Sequence, residues 1–335
     1  MVIYVGSYTP DAGGAGTGVS VWDARLRPAA REVALPAPSW LVAHPSAAVL
    51  FAVNELDSGG VTTLARGADG ALAVVARQPS GGAAPCHLSV TADGRHLLCA
   101  NYGSGSVAVF AVGADGTLGA RTDLVTHHGA GADPQRQEGP HAHQVVADGA
   151  GAIAVDLGTD TLHGYRLTPD GTLEPTWTTR AGAGVGPRHL VTGRAGRRYV
   201  ADELAGTVSV YDPDPATGGL RLVHRRPATL TEPTGATLPS EIALSPDGRY
   251  LYVGNRGADT VTTFAVDGDG LAGVDETPCG GHWPRHLVVD GDLMYVANER
   301  SHAVTVLRVD PDTGIPRLTG DRIEVPSPAC VLVDR

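Results

Sequence analysis

The fold is decided by residues 85–101, PCHLSVTADGRHLLCAN, because their plan recurs along the chain. A proline opens a short apolar strand, Asp-Gly-Arg supplies a turn, and a second apolar strand ends in asparagine. Residues 239–255, PSEIALSPDGRYLYVGN, repeat every step, and both segments continue into a third strand with alternating apolar residues. Alternation with a period of two, bounded by turn residues, predicts short antiparallel strands rather than helices.

The repeat can be counted from two anchors. Prolines open seven such segments at spacings of 44 to 55 residues, and a polar residue closes the second strand of six of them, 14 to 16 residues later. A repeating unit of this size, with four alternating strands, is typical of one blade of a β-propeller. The prolines are Pro38, Pro85, Pro140, Pro187, Pro239, Pro284 and Pro328. The strand-end residues are Asn54, Asn101, Asp156, Asp202, Asn255 and Asn298.

The two ends of the chain predict how the ring closes. Pro328 is followed only by ACVLVDR, which is enough for one strand. The first residues, VIYVGSY, match the second strand of a blade, and GVSVWDA and REVALP match the third and fourth. We therefore expect an all-β, seven-bladed propeller, formed by residues 1–335 as one domain. Its closing blade would join the last strand to the first three and leave no open sheet edge at the seam.

Charge and composition exclude several classes of partner. The 335 residues carry a net charge of −11, and all 25 basic residues are arginine. Such a chain lacks the cationic surface that nucleic acid requires, and it contains no apolar run long enough to span a membrane. MVIYVGSYTP enters a strand pattern at once and has no signal-peptide features, so a cytoplasmic protein is expected. The four cysteines are scattered along the chain, so no disulfide is expected. We expect a monomer or a weak homodimer.

Ionisable residues gather at one mouth of the predicted channel. In each blade the first strand begins and the second strand ends at the same face, because neighbouring strands are antiparallel. Charged groups near the axis of a ring are costly unless they are paired or used. The two longest loops between blades, 127–139 and about 229–238, leave from this face, where repeat proteins usually place function. The positions concerned carry His87, His141, Arg188, His189, Glu203, Glu241, Arg256, Arg285 and His286.

The segments that carry these residues resemble a known family. They include ANYGSGSV (100–107), QEGPHAH (137–143), GPRHL (186–190), SPDGRYLYVGNRG (245–257) and WPRHL (283–287). Over essentially the whole chain they are similar to the lactonase family of seven-bladed propellers. Its reference activity is 6-phosphogluconolactonase, and it also includes the fungal carboxy-muconate lactonizing enzymes. The resemblance implies a carboxylic ester hydrolase of carbohydrate metabolism that acts without a cofactor.

The resemblance also implies a set of catalytic residues. In the muconate enzymes a histidine, two arginines and a glutamate around the channel mouth carry the chemistry. Carried over by motif, they look like His141, Arg188, Glu203 and Arg256. Arginine suits a carboxylate or phosphate because its planar fork donates two parallel hydrogen bonds.

Further residues are expected to bind substrate, each with a structural alternative. Arg285 could instead form a salt bridge between blades, and the recurrence of histidine at one repeat position favours a structural role at the channel wall. His141 and His143 could share a metal, but no third ligand follows, so no metal is expected. Cys86 and Ser240 lack the sequence context of a nucleophile. The expected substrate-binding residues are His87, His143, His189, Glu241, Arg285 and His286.

The leading hypothesis is a metal-independent lactonase for a small, anionic, sugar-derived lactone. Arg188 and Arg256 would hold the anion and the developing oxyanion, His141 would move a proton, and Glu203 would orient it or serve as the partner acid. A cycloisomerase or another proton-transfer enzyme acting on a carboxylated substrate could use the same residues. A non-catalytic propeller that binds a partner is disfavoured by the ionisable rings, and a calcium-dependent propeller lactonase is a weaker alternative.

Overall fold

The computed structural model describes residues 1–268 and 270–335 and is a ring of seven four-stranded antiparallel sheets. Each sheet is one blade, so the predicted all-β, seven-bladed propeller is confirmed. Within the described residues, helix is limited to three 3₁₀ turns, at Pro10–Ala12, Arg194–Gly196 and Glu299–Ser301. No helix there is both long and apolar enough to cross a membrane.

The strands follow one another blade by blade. Blade 1 begins with β1 (Val2–Ser7), β2 (Gly18–Asp23) and β3 (Pro28–Ala34). Blade 2 contains β4 (Leu41–Ala43), β5 (Val49–Asn54), β6 (Gly60–Arg66) and β7 (Leu72–Pro79). Blade 3 contains β8 (Pro85–Val90), β9 (His96–Asn101), β10 (Ser106–Val112) and β11 (Leu118–Thr126). Blade 4 contains β12 (Ala142–Asp148), β13 (Gly151–Asp156), β14 (Thr161–Leu167) and β15 (Leu173–Arg180).

The remaining blades keep the same order. Blade 5 contains β16 (Pro187–Thr192), β17 (Arg198–Asp202), β18 (Thr207–Pro213) and β19 (Leu220–Pro227). Blade 6 contains β20 (Leu238–Leu244), β21 (Tyr250–Arg256), β22 (Thr260–Asp267) and β23 (Gly270–Pro278). Blade 7 contains β24 (Pro284–Asp290), β25 (Leu293–Asn298), β26 (Ala303–Val309) and β27 (Pro316–Glu324). The last strand, β28 (Pro328–Asp334), returns to blade 1.

The ring closes as the two chain ends predict. Strand β28 pairs antiparallel with β1, with Val331 opposite Val5 and Val333 opposite Ile3. Blade 1 therefore has the order β28-β1-β2-β3. The first strand of every blade contacts the first strand of the next, and β28 contacts β4. These seven strands thus surround one central channel, and their starts define its mouth.

Apolar side chains fill the interfaces between neighbouring blades. At the seam, Ile3 of blade 1 packs with Tyr295 of blade 7, while Tyr4 packs on the opposite side with Leu50 of blade 2. Successive residues of β1 therefore face different neighbours, as the pleat of a strand requires. All four side chains are at most 1% exposed, and burying each stabilises the fold by about 1.5–3 kcal/mol.

The polar residue that ends each second strand has a repeated structural role. In blade 7, Nδ2 of Asn298 donates a 2.9 Å hydrogen bond to Oγ1 of Thr305 on the third strand. In blade 5 an aspartate takes this place, and Oδ2 of Asp202 accepts a 2.5 Å hydrogen bond from Ser209. These bonds tie the second strand to the third beside the channel mouth, which explains why the sequence repeats Asn or Asp.

The residue before the blade-opening proline is left-handed in five blades. Its φ is +59° at Gly186 and +67° at Trp283, and similar values occur at Ala37, Ala84 and Ser327. A left-handed φ is uncommon for a bulky residue such as tryptophan. The same left-handed turn recurs around the ring. The fold therefore imposes this backbone conformation on Trp283 and places its side chain beside the mouth.

The buried carboxyl group of Asp202 should make the free energy of unfolding depend on pH. Burial raises its pKa to about 6, although its hydrogen bonds and Arg225 act in the opposite direction. The folded state therefore holds this proton more tightly than the unfolded state, so the stabilisation is full below the ordinary pKa of 3.8 and is lost as the pH rises through about 6. Asp202→Asn, which does not titrate, should gain about 3 kcal/mol relative to the wild type between about pH 4 and pH 7.

Urea denaturation of both proteins at the two pH values measures this difference, because all other titrating groups cancel in the comparison. A stability difference that does not change with pH would mean that Asp202 is not protonated in the folded protein.

Candidate active site

Two arginines implied by the resemblance meet the carboxylate of Glu203. Arg188 lies at the start of β16, Glu203 directly follows β17, and Arg256 ends β21. Nη2 of Arg256 donates a 2.6 Å hydrogen bond to Oε2 of Glu203. Nε of Arg188 lies 3.2 Å from the same oxygen, outside hydrogen-bond geometry. The repeat thus brings Arg188 and Glu203 of blade 5 together with Arg256 of blade 6, about 50 residues further along the chain.

A third arginine completes the cluster from the loop 127–139. Nη2 of Arg136 donates a 2.6 Å hydrogen bond to Oε1 of Glu203, so both carboxylate oxygens are engaged. The loop is held down by Gln137, whose Nε2 donates to the carbonyl of Leu157 and to Oδ1 of Asp160, both at 2.8 Å. The sequence predicts that this loop overhangs the mouth. Arg136, however, has no equivalent position in the other blades, so the repeat does not identify it as a site residue.

The cluster holds more positive than negative charge. Glu203 is only 2% exposed, and although burial alone would raise its pKa, the three guanidinium groups hold that pKa well below its usual range. Burial, followed by repulsion from Arg256 and Arg285, lowers the pKa of Arg188 to about 10, so it stays protonated at neutral pH. Three arginines around one ionised carboxylate favour binding of an anion or an oxyanion here, although the whole chain carries −11.

Parts of two guanidinium groups remain available to a ligand. Nη1 of Arg188 donates to the carbonyl of Ser240 at 2.6 Å, and Nε of Arg256 donates to the carbonyl of Leu238 at 3.2 Å. Among the residues that the structure describes, Nη2 of Arg188 and Nη1 of Arg256 have no hydrogen-bond partner. The protein thus fixes both side chains through their other nitrogens.

His141 lies just before β12 and is fixed by Tyr102. The two rings stack with their centroids 4.4 Å apart, and Nδ1 of His141 lies 3.0 Å from the carbonyl oxygen of Tyr102. A carbonyl only accepts, so Nδ1 donates this hydrogen bond and the contact fixes the orientation of the ring. Nε2 lies 3.2 Å from Oε1 of the exposed Glu138. The Tyr102 hydroxyl in turn neighbours Arg136, which links His141 to the arginine cluster.

Four histidines and Trp40 fill the channel below the mouth. Trp40 lies 4.2 Å from His87, 5.1 Å from His286 and 5.5 Å from His189, measured between ring centroids. His143 lies 5.0 Å from His189 and also contacts Tyr102, at 5.5 Å. Burial lowers the pKa of all four histidines, so they are neutral at pH 7.

Glu241 joins this group at the channel wall. Its Oε2 lies 3.1 Å from Nδ1 of His189 and 3.6 Å from Nε2 of His286, and burial raises its pKa. His143, His189 and His286 line a cavity of only about 10 Å³, enough for about one water molecule, whereas Glu241 and His286 also line a pocket of about 720 Å³. The sequence proposed His87, His143, His189, Glu241 and His286 as substrate-binding residues; their packing favours the structural alternative.

Arg285, the sixth expected substrate-binding residue, lies on the other side of the mouth. Its guanidinium carbon is 4.8 Å from the ring centroid of Tyr8, and its Nη1 is 3.8 Å from Oε2 of Glu299. The sequence suggests a salt bridge between blades as an alternative role for Arg285. The observed pair, Arg285 and Glu299, lies within blade 7, and its 3.8 Å separation is longer than a hydrogen bond. Arg285 belongs to a pocket that is separate from the Glu203 cluster.

The two nucleophile candidates are engaged as hydrogen-bond donors. Sγ of Cys86 lies 3.2 Å from the carbonyl of His143, and burial raises the pKa of this thiol well above its usual range. Oγ of Ser240 donates to the carbonyl of Pro284 at 2.6 Å. Nδ1 of His143 also lies 3.9 Å from Sγ of Cys86, but burial keeps the thiol protonated, so Cys86 is not an activated nucleophile. All four cysteines are free and buried.

A second group of polar side chains lies beside the start of the 127–139 loop. Nδ1 of His127 is 2.6 Å from Oδ2 of Asp156, and Nε2 of His127 is 2.9 Å from the Tyr165 hydroxyl. His163 completes a set of donor atoms within 4.8 Å of one another that could hold a metal ion. Each of its members already has a hydrogen-bond partner in the protein, which favours a structural network.

This network supports His141. Oδ1 of Asp156 accepts 2.9 Å hydrogen bonds from the backbone N–H groups of His141 and Thr159. His127→Ala should remove the partner of a buried carboxylate, lower stability by about 2–3 kcal/mol, and lower kcat through His141. Thermal unfolding and steady-state kinetics measure both effects. His128→Ala, which changes the adjacent exposed histidine, should leave both unchanged; equal behaviour of the two variants would contradict the link.

Comparison with known proteins agrees with this geometry. The family described as "Lactonase, 7-bladed beta-propeller" matches residues 2–333. A 6-phosphogluconolactonase of Bacillus subtilis is 32% identical over 303 residues, which cover 88% of this chain and 86% of that protein. A 6-phosphogluconolactonase of Formosa agariphila is 26% identical and covers 93% of both chains.

Among solved structures, the periplasmic gluconolactonase PpgL of Pseudomonas aeruginosa superposes with a TM-score of 0.91. It is 31% identical in sequence, and the match covers 99% of this chain and 98% of that one. The match along the whole chain, together with the closed ring and its arginine-lined mouth, leads to one conclusion: the chain belongs to the lactonase family of seven-bladed β-propellers.

Proposed function

We propose that this protein hydrolyses a sugar lactone at the channel mouth formed by Arg188, Glu203, Arg256 and His141. The observation that carries the proposal is the pair of fixed guanidinium groups, each with an N–H₂ end that no described residue engages, beside a carboxylate whose pKa is held well below its usual range. Such preorganised donors stabilise the oxyanion that forms when water attacks an ester carbonyl. Similarity to proteins named 6-phosphogluconolactonase and gluconolactonase supports the same activity.

In the proposed hydrolysis, the arginines bind the carbonyl oxygen and His141 transfers the proton. Arg188 and Arg256 donate to the carbonyl oxygen of the lactone, and Nε2 of His141 takes a proton from the attacking water. The water oxygen bonds to the carbonyl carbon, and negative charge develops on the former carbonyl oxygen. When the bond from carbon to the ring oxygen breaks, His141 returns the proton to that oxygen, and the product is an open-chain hydroxy acid.

Glu203 has the orienting role in this scheme. Its low pKa means that it has no proton to give at neutral pH, so it cannot serve as the partner acid that the sequence left open. Its two oxygens instead hold Arg136 and Arg256 in place and offset part of the charge of Arg188.

A cycloisomerase remains the second candidate. The surplus positive charge of the cluster would also suit a carboxylated substrate, and a histidine with a fixed orientation could shuttle a proton without consuming water. The two reactions differ in whether the product gains an oxygen atom from solvent.

A panel of lactones tests the proposal. D-Glucono-1,5-lactone, its 6-phosphate and an aromatic lactone are each supplied to the purified protein, and hydrolysis is followed after subtraction of the spontaneous rate. The proposal expects hydrolysis of at least one sugar lactone with undiminished activity in the presence of EDTA. Absence of hydrolysis of both sugar lactones would contradict it, and loss of activity with EDTA would contradict the metal-independent mechanism.

A further inference from the structure

A pocket of about 750 Å³ opens on the same face as the Glu203 cluster, between blades 7, 1 and 2. It is distinct from the cluster, none of whose members lines it. Its walls come from positions equivalent to those that build the cluster, namely the ends of second strands and the starts of first strands. The residues that matter here are Tyr8, Glu55, Asp57, Arg285, Glu299 and Arg300.

Two polar groups in this pocket face each other without hydrogen bonds. The Arg285 side chain is 19% exposed, and among the described residues its guanidinium has no hydrogen-bond partner. The nearest carboxylate oxygen, Oε2 of Glu299, is 3.8 Å away and is itself buried without a partner. A ligand hydroxyl that bridges the two groups from the pocket side would accept from Arg285 and donate to Glu299.

The charge of the pocket disfavours anionic ligands. Four carboxylates line it, those of Asp11, Glu55, Asp57 and Glu299, against only two guanidinium groups. Oε2 of Glu55 accepts a 2.8 Å hydrogen bond from the Tyr8 hydroxyl, which fixes one acceptor at the pocket wall. Carboxylates accept hydrogen bonds from hydroxyl groups but repel a phosphate. The lining therefore suits a polyhydroxylated, uncharged group.

The pocket adjoins the Glu203 cluster on two sides. Arg285 and Arg188 both line the small cavity at the channel axis. Trp283 lies between the two sites, with its ring centroid 5.6 Å from the guanidinium carbon of Arg256 and 3.4 Å from that of Arg300. The two sites are therefore neighbours, with Trp283 as the side chain between them.

We propose that this pocket binds the hydroxyl-bearing end of the lactone opposite its carbonyl and thereby selects an unphosphorylated sugar lactone. The proposal rests on the proposed function for the orientation of the substrate. A 6-phosphate, carried at the end away from the carbonyl, would meet the four carboxylates of the pocket. In this proposal the Glu203 cluster catalyses hydrolysis, and the pocket determines which lactone is accepted.

Two measurements on the whole protein test the proposal. The first is calorimetric binding of D-glucono-1,5-lactam, an uncharged analogue that resists hydrolysis, to the wild type, Arg285→Gln and Glu299→Gln. The second is kcat/KM for D-glucono-1,5-lactone and its 6-phosphate with the same proteins. Arg317→Gln and Asp321→Asn, which remove exposed charges on β27, are the matched controls.

The proposal expects the Kd of the lactam to rise about tenfold or more in Arg285→Gln and Glu299→Gln and to stay unchanged in both controls. It also expects the wild type to prefer the unphosphorylated lactone, and Glu299→Gln to narrow that preference by about tenfold because a like charge is removed. Lactam affinity that is equal in all five proteins, or a wild-type preference for the 6-phosphate, would overturn the subsite.

These outcomes separate the subsite from the activity. If neither lactone is hydrolysed but the two pocket variants weaken lactam binding, the proposed function fails and the pocket stands as a polyol site. If both lactones are hydrolysed and the pocket variants change neither Kd nor KM, the activity stands and the subsite is wrong.

Discussion

Glu203→Gln is expected to lower kcat/KM for lactone hydrolysis by about 10²-fold and the free energy of unfolding by about 3–5 kcal/mol. The substitution keeps the shape of the side chain but removes the negative charge that the three arginines share. Arg188 and Arg256 are both at most 5% exposed, so their charges would remain buried without compensation. Repulsion would move the two guanidinium groups away from the position in which they meet the carbonyl oxygen.

The matched control is an exposed pair of the same chemical type. Glu174→Gln removes the partner of Arg166 on the surface of blade 4, where both side chains are about half exposed. An exposed pair contributes about 0–1 kcal/mol, so this variant should keep its stability and its activity. Urea denaturation of both variants measures the free energy of unfolding, and steady-state kinetics measures kcat/KM. Glu203→Gln with wild-type kcat/KM would show that the three arginines do not depend on this carboxylate.

His141→Ala is expected to lower kcat by about 10²–10⁴-fold, with a much smaller change in KM. The histidine is the one side chain in the proposed mechanism that moves a proton, and its orientation is fixed by the carbonyl of Tyr102. The arginine cluster, which binds the carbonyl oxygen, does not touch the His141 ring through any hydrogen bond among the described residues. Binding and proton transfer are therefore separable.

His128→Ala, in the same loop but exposed, is the control for His141→Ala. Circular dichroism of both variants checks that the protein keeps its overall fold. A fall in kcat/KM that is due entirely to KM would assign His141 to substrate binding, and a wild-type kcat would remove it from the mechanism.

The repeat made the ring predictable from the sequence. A proline and a strand-end Asn or Asp mark each blade, and the structure gives both a physical reason. The turn before the proline is left-handed in five blades, and the strand-end side chain, as at Asn298, forms a hydrogen bond with the third strand. Because these features recur at fixed positions, the number of blades and the shared closing blade followed from spacing alone.

The candidate site was predictable only where its residues lie on the repeat. Arg188 and Glu203 occupy repeat positions and meet as expected, whereas Arg136 lies in a loop between blades and has no equivalent elsewhere. The pocket around Arg285 and Glu299 depends on atoms that lack hydrogen bonds, and no sequence pattern reports these.

The repeat also concealed differences between equivalent residues. Asp156 and Asp202 occupy the same position, yet the hydrogen bond from His127 lowers the pKa of Asp156 against the effect of its burial, whereas burial raises that of Asp202. The channel histidines recur because they pack with Trp40, which sequence alone could not distinguish from a role in substrate binding.

The origin of the oxygen in the product tests the central claim most directly. D-Glucono-1,5-lactone is incubated with the protein in ¹⁸O-labelled water, and the product is examined by mass spectrometry after subtraction of the spontaneous reaction. Attack of water at the carbonyl predicts one ¹⁸O atom in the carboxylate of the product, formed faster with the wild type than with His141→Ala. An enzyme-dependent product without label, or equal rates for the two proteins, would contradict hydrolysis at the Arg188–Glu203–Arg256 mouth.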